Sequence, residues 1–109
     1  MEKTKQFLSR YPALLCEIEQ TERELKQAPD ALKDILRRRV EALKKQAVEI
    51  RGAVENVSQA KLRMILKYHY LEGMTFERVA ETLYLSERHV YRLHRAAVRE
   101  VERIRELGA

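Results

Sequence analysis

A chain of 109 residues supplies one domain, or a small domain with a helical extension. Charged residues make up 36% of it with both signs mixed, and three glycines and two prolines leave helix formers dominant, so the composition reads as nearly all helix. A single cysteine excludes an intramolecular disulfide and a cysteine-based zinc site, no apolar run is long enough to span a membrane, no signal-peptide core stands at the N-terminus, and a net charge of +5 favours an acidic partner such as nucleic acid. The expected setting is a reducing cytoplasm.

The first predicted element carries Leu14, Ile18, Thr21, Leu25 and Ala28 at steps of four and three, a helical seam. Pro12 suits the first turn of such a helix and would kink one that began as early as Thr4, so the helix is expected from about residue 12. Cys16, lying among Leu14, Leu15 and Ile18, reads as a buried structural thiol.

The stretch "APD" at 28–30 breaks the pattern. Pro29 disfavours helix at Ala28, and Asp30 is a candidate N-cap. Beyond it Leu32, Leu36, Val40, Leu43, Ala47, Ile50, Val54 and Val57 form a narrow apolar stripe with charged residues on the other faces. A stripe this narrow is a coiled-coil seam rather than a broad globular face. The short break predicts an antiparallel helical hairpin over residues 1–56. Its seam, from Leu36, Val40, Leu43 and Ala47 to Ile50 and Val54, buries little by itself and is expected to serve oligomerisation or partner contact, or to pack on the C-terminal module. Gly52 inside the helix costs up to about 1 kcal/mol relative to alanine and marks a candidate bend.

Residues 57–109 are expected to form the second unit. Ser58 is a candidate N-cap, Leu62, Ile65, Leu66 and Tyr70 make an inward face, and Gly73 sits where a left-handed C-terminal residue is wanted. Thr75 then caps a short helix, and Ser86 caps a long one running to about Leu107. This pattern fits a helix-turn-helix. Ala80 is the small residue at the crossing, and Val79, Leu83, Leu85, Val90 and Leu93 supply the rest of its core. Glycine usually takes the turn position, where φ is positive; here it is Tyr84, which costs of order 1 kcal/mol in that conformation. The turn either adopts another geometry or packs Tyr84 back on the module.

The second helix presents Ser86, Glu87, Arg88, Tyr91, Arg92 and Arg95 outward. Within residues 86–99 four arginines, Arg88, Arg92, Arg95 and Arg99, stand against Glu87 alone. The N-terminal part of such a helix enters the major groove, and an arginine fork matches guanine O6 and N7. Arg88 and Arg92 are therefore candidate base contacts. Glu87 either accepts from a cytosine amino group or complements the helix N-terminus. Arg95, Arg99 and Lys67 are candidate phosphate contacts, or ordinary surface charge. Thr75, Ser86 and Tyr91 are further candidate backbone contacts, with capping the first role of Ser86 and half-burial the alternative for Tyr91. His69, His89 and His94 do not suggest a metal site, because His89 and His94 are five residues apart and point to different faces. No phosphate loop, nucleophile elbow or carboxylate pair is present, so neither catalysis nor a cofactor is expected.

"YHYLEGMTFERVAETLYLSERHVYRLHRAAVREV", residues 68–101, resembles region 4 of bacterial sigma-70-type factors. Tyr70, Glu72, Gly73, Thr75, Phe76, Val79 and Ala80 follow that region's opening pattern, and Ser86, Val90 and Ala97 its recognition helix. It is still more similar to phage-encoded transcriptional regulators of the ArpU/RinA type, whose C-terminal signature matches Ser86, Arg88, Val90, Tyr91, Arg92, Leu93, His94 and Ala97. Leu85 stands between tyrosine and serine where that family often has them adjacent. The resemblance spans about residues 58–100. It implies a DNA-binding regulator of phage late genes, or a sigma-like module that engages host RNA polymerase. It supplies no counterpart of a promoter-melting region. A homo-oligomer is expected, with a dimer ahead of larger assemblies. Two other readings stay open: a small terminase-like DNA-packaging protein, and a polymerase-binding module that does not read bases.

Overall fold

The computed structural model describes residues 1–108, and all of its regular structure is helical. Six α-helices follow one another: α1 (Glu2–Ser9), α2 (Tyr11–Gln27), α3 (Asp30–Glu55), α4 (Ala60–Leu66), α5 (Phe76–Leu83) and α6 (Glu87–Gly108). A π-helical turn, Lys67–Leu71, extends α4. No helix among the described residues is long and apolar enough to cross a membrane.

The N-terminus holds one helix more than the sequence pattern suggested. The chain is helical from Glu2, bends at Arg10, and restarts at Tyr11 with Pro12 in the first turn of α2. Proline is tolerated there because its missing N–H would have no helical acceptor in any case. Helix α1 earns its place by burying Thr4 and Leu8.

Helices α2 and α3 form the expected antiparallel hairpin. Ala28 and Pro29 are both extended, with ψ of 147° and 153°, and turn the chain within two residues. Pro29, not Asp30, occupies the cap position; Asp30 lies in the first turn of α3 and pairs with Lys33 at 3.0 Å. Lys44 pairs with Glu22 across the hairpin at 3.3 Å. Cys16 is exposed rather than buried. It lies two residues from both Leu14 and Ile18, and an offset of two points to the opposite side of a helix.

The stripe on α3 changes character along its length. Near the hairpin tip Leu32 and Ile35 are exposed, because only two helices meet there. From Leu43 inward the stripe enters the main core, joining Leu8, Tyr11, Leu14 and Ile18 from the N-terminal helices with Leu62, Leu66, Tyr70, Ala97, Val98 and Val101 from the C-terminal ones. One hydrophobic cluster therefore runs across the junction at residues 56–57. The hairpin tip projects from it, giving extents of 53 × 32 × 21 Å and a radius of gyration of 16.5 Å, against about 13 Å for a compact chain of this length.

The cap of α4 falls at Gln59, one residue beyond Ser58, and its side chain makes no capping bond. A second, smaller cluster of Ile65, Val79, Ala80 and Val90 holds α5 against α4 and α6, with Leu83, Leu85 and Leu93 packed at its edge.

Candidate nucleic-acid interface

Helix α5 begins where Thr75 Oγ1 accepts a hydrogen bond from the Arg78 amide at 3.1 Å. It ends at Tyr84, which takes φ 57° and ψ 41°, a left-handed conformation. The Tyr84 amide donates to the Glu81 carbonyl at 3.3 Å and the Leu85 amide to the Ala80 carbonyl at 2.9 Å. This is a Schellman motif, and Leu85 packs against the cluster that contains Val79 and Ala80, in keeping with the hydrophobic contact that usually accompanies it. The turn thus keeps the geometry that glycine normally provides. Tyr84 does not pack back: its side chain is 95% exposed.

Two residues later Ser86 Oγ accepts from the His89 amide at 3.1 Å and opens α6. Along α6 Val90, His94, Ala97, Val98 and Val101 are buried. Arg88, Arg92, Arg95 and Arg99 are spaced four, three and four apart on the opposite, exposed side, a stripe about 16 Å long at 1.5 Å per residue. Ser86, Arg88, His89, Arg92 and Arg95 line an open depression of about 440 Å³. Among the described residues no carboxylate lies within ion-pair distance of any of the four arginines, whereas Arg23, Arg37 and Arg103 each have one. Adjacent uncompensated cations raise the local potential and attract an anion.

The other candidate residues are less uniformly placed. Glu87 lies in the first turn of α6 and is exposed. Tyr91 is 48% exposed, with its ring 4.8 Å from that of Phe76. Lys67 is bound to Glu55 at 3.0 Å, at the end of α3. Thr75 and Ser86 both spend their hydroxyls on caps. The seam residues Leu43, Ala47, Ile50 and Val54 are covered by the chain's own helices, Val40 is also buried, and Leu36 is half-buried.

Behind the basic stripe sits an aromatic cluster that spacing alone did not suggest. Tyr70 Oη and His94 Nε2 share a buried hydrogen bond of 2.6 Å. Burial, and then the nearby His69 and Lys5, pull the His94 pKa down to about 4; burial, and then Glu2, push Tyr70 up to about 12. Both groups are therefore neutral near pH 7. His69 Nδ1 donates to the Met74 carbonyl at 2.8 Å, and its ring stacks on Phe76 at 3.9 Å. The pair ties the π-helical turn to the inner face of α6. In the sequence, Tyr70, Phe76 and His94 all fall on the motif lines.

The sequence model of one protein family matches residues 30–102. The chain belongs to the family described as protein of unknown function DUF1492. No curated protein and no solved structure matches it. The DUF1492 segment begins with α3 and ends within α6, so it takes in the long hairpin helix, the π-helical turn, the Schellman turn and the whole arginine stripe. Helix α2, which packs along α3, and helix α1, which packs on α2 and α6, lie outside it.

Proposed function

We propose that this DUF1492 protein is a sequence-specific DNA-binding transcriptional regulator of phage or prophage origin, with the N-terminal half of α6 entering the major groove. The observation that carries this reading is the stripe of four arginines, exposed on one side of a helix that follows a tight turn and without a carboxylate partner among the described residues. Arg88 and Arg92 stand nearest the start of that helix and are assigned to base edges, with guanine the fitting base. Glu87 beside them is assigned to a cytosine amino group. Arg95 and Arg99 continue the stripe toward phosphates. Thr75, Ser86 and Tyr91 flank it as backbone contacts, and Lys67 joins them only by leaving Glu55. A homodimer would pair two such units on half-sites about one DNA turn apart. Because the α3 seam is largely occupied within the chain, a second copy would meet other surfaces than Leu43, Ala47, Ile50 and Val54.

The test is capture of fragments of the source genome on the purified protein at roughly physiological salt. Enrichment of one site upstream of a gene block supports the reading. Weak, salt-sensitive binding spread evenly over all fragments overturns sequence-specific reading by the protein alone, and points to a module that finds DNA through RNA polymerase.

A further inference from the structure

Two described residues have positive φ: Gly73 at 74° and Tyr84 at 57°. At the first the chain uses the residue that adopts this backbone without penalty. At the second it uses tyrosine, and a bulky L-residue held there costs of order 1 kcal/mol. Such a cost is usually offset by packing of the side chain. Here burial offsets none of it, for Tyr84 is the most exposed of the large hydrophobic side chains among the described residues, at 95%. The Schellman hydrogen bonds and the Leu85 contact use only the backbone at position 84, so the turn has no need of a phenol. Position 84 also stands two residues before Ser86, within about 7 Å along the chain of a residue lining the arginine depression.

We propose that Tyr84 is a DNA-contacting residue, its hydroxyl donating a hydrogen bond to a phosphate oxygen at the rim of the groove that α6 enters. The assignment rests on the DNA-binding reading above. It adds a neutral donor beside the cationic stripe, a kind of phosphate contact that tyrosine commonly makes. It also accounts for a residue that is a poor choice for its backbone and leaves its side chain almost wholly in solvent.

The contact makes stability and binding move in opposite directions. The probe is a labelled random-sequence duplex of about 20 base pairs, which suffices because phosphate contacts do not depend on sequence. Tyr84→Gly relieves the backbone and is expected to raise the melting temperature by about 3 °C. It is expected to weaken duplex binding about fivefold. Tyr84→Asn, which also accepts the left-handed region, should weaken binding equally, and Tyr84→Phe should weaken it with no gain in stability. Because tyrosine releases no counterion, the salt dependence should keep its wild-type slope in all three. Unchanged affinity in Tyr84→Gly, or full affinity in Tyr84→Phe, overturns the proposal while leaving the DNA-binding reading intact. A wild-type protein that binds no duplex overturns both.

Discussion

Arg92 and Arg95 are three residues apart on the same exposed stripe, yet they are assigned different partners, and the difference is measurable. Replacing Arg92 with alanine should cost about 1–3 kcal/mol on the preferred site and relax the preference at one base pair. Replacing Arg95 should weaken all duplexes alike and flatten the slope of log K against log salt by about 0.9. Competition binding at two salt concentrations separates the two. Equal losses for Arg92→Ala on preferred and random DNA would remove it from the base contacts. A different experiment addresses His94. Its folded pKa, near 4, lies below the ordinary histidine value of 6.5, so the unfolded chain takes up a proton that the folded chain refuses. The stabilisation is present above pH 6.5 and drains away as pH falls from 6.5 towards 4, by roughly 3 kcal/mol at most. Urea unfolding at pH 7.5 and pH 5 should show the loss, and His94→Gln, whose amide can still reach the Tyr70 hydroxyl, should show much less of it.

Among the elements, α3 and α5 offer the clearest readouts. Gly52 lies inside α3, and a Cβ built there meets nothing within 4 Å. Gly52→Ala should therefore stabilise the protein by up to about 1 kcal/mol, by narrowing the unfolded ensemble and raising helix propensity. A loss of stability on denaturant unfolding would mean that α3 needs flexibility at that point. At α5 and α6 the capping hydroxyls of Thr75 and Ser86 each satisfy an otherwise orphaned amide. Alanine at either position should cost about 1 kcal/mol. In the Ser86 variant, fraying would begin at the very turn that carries Arg88, so duplex affinity should fall along with stability.

Across the whole molecule, what matters is that the larger of the two hydrophobic clusters is shared by both halves of the chain. Val54 and Val57 at the end of the hairpin pack in one cluster with Leu66 and Val98. Leu66→Ala, at a fully buried site, should cost about 2–5 kcal/mol. It should also lower the stability of hairpin and helix-turn-helix together, in one cooperative transition. Expressed alone, residues 57–108 would expose Leu62, Leu66, Tyr70, Ala97, Val98 and Val101, and should melt without a sharp transition in circular dichroism. A sharp, unshifted melt of that fragment would show that the C-terminal helices need no support from α1–α3. The projecting hairpin tip, with Leu32 and Ile35 exposed, contributes little to this core, and substitutions there should barely move the melting temperature.

The helices themselves were legible in the sequence because helix formation is local. Steps of three and four marked α2, α3 and α6; Thr75, Gly73 and Ser86 marked ends; and the arginine stripe followed from spacing alone. Helix α1 escaped because eight residues carry too few periodic positions to separate a helix from a tail. Ser58 and Asp30 were each misplaced by one residue as caps: Ser58 and Gln59 are adjacent polar residues that suit the same role, and at α3 the extended Pro29 takes the cap position and leaves Asp30 in the first turn. Burial also followed from the pattern where a third helix covers the stripe, as at Ile50, and failed where none does, as at Leu32. Tertiary structure alone decided that Tyr84 keeps the glycine-like turn and points into solvent, that His94 meets Tyr70 from 24 residues away, and that the seam of α3 is filled by its own chain. Each of these depends on which surfaces meet in space, and a periodicity confined to one helix carries no information about what lies across from it.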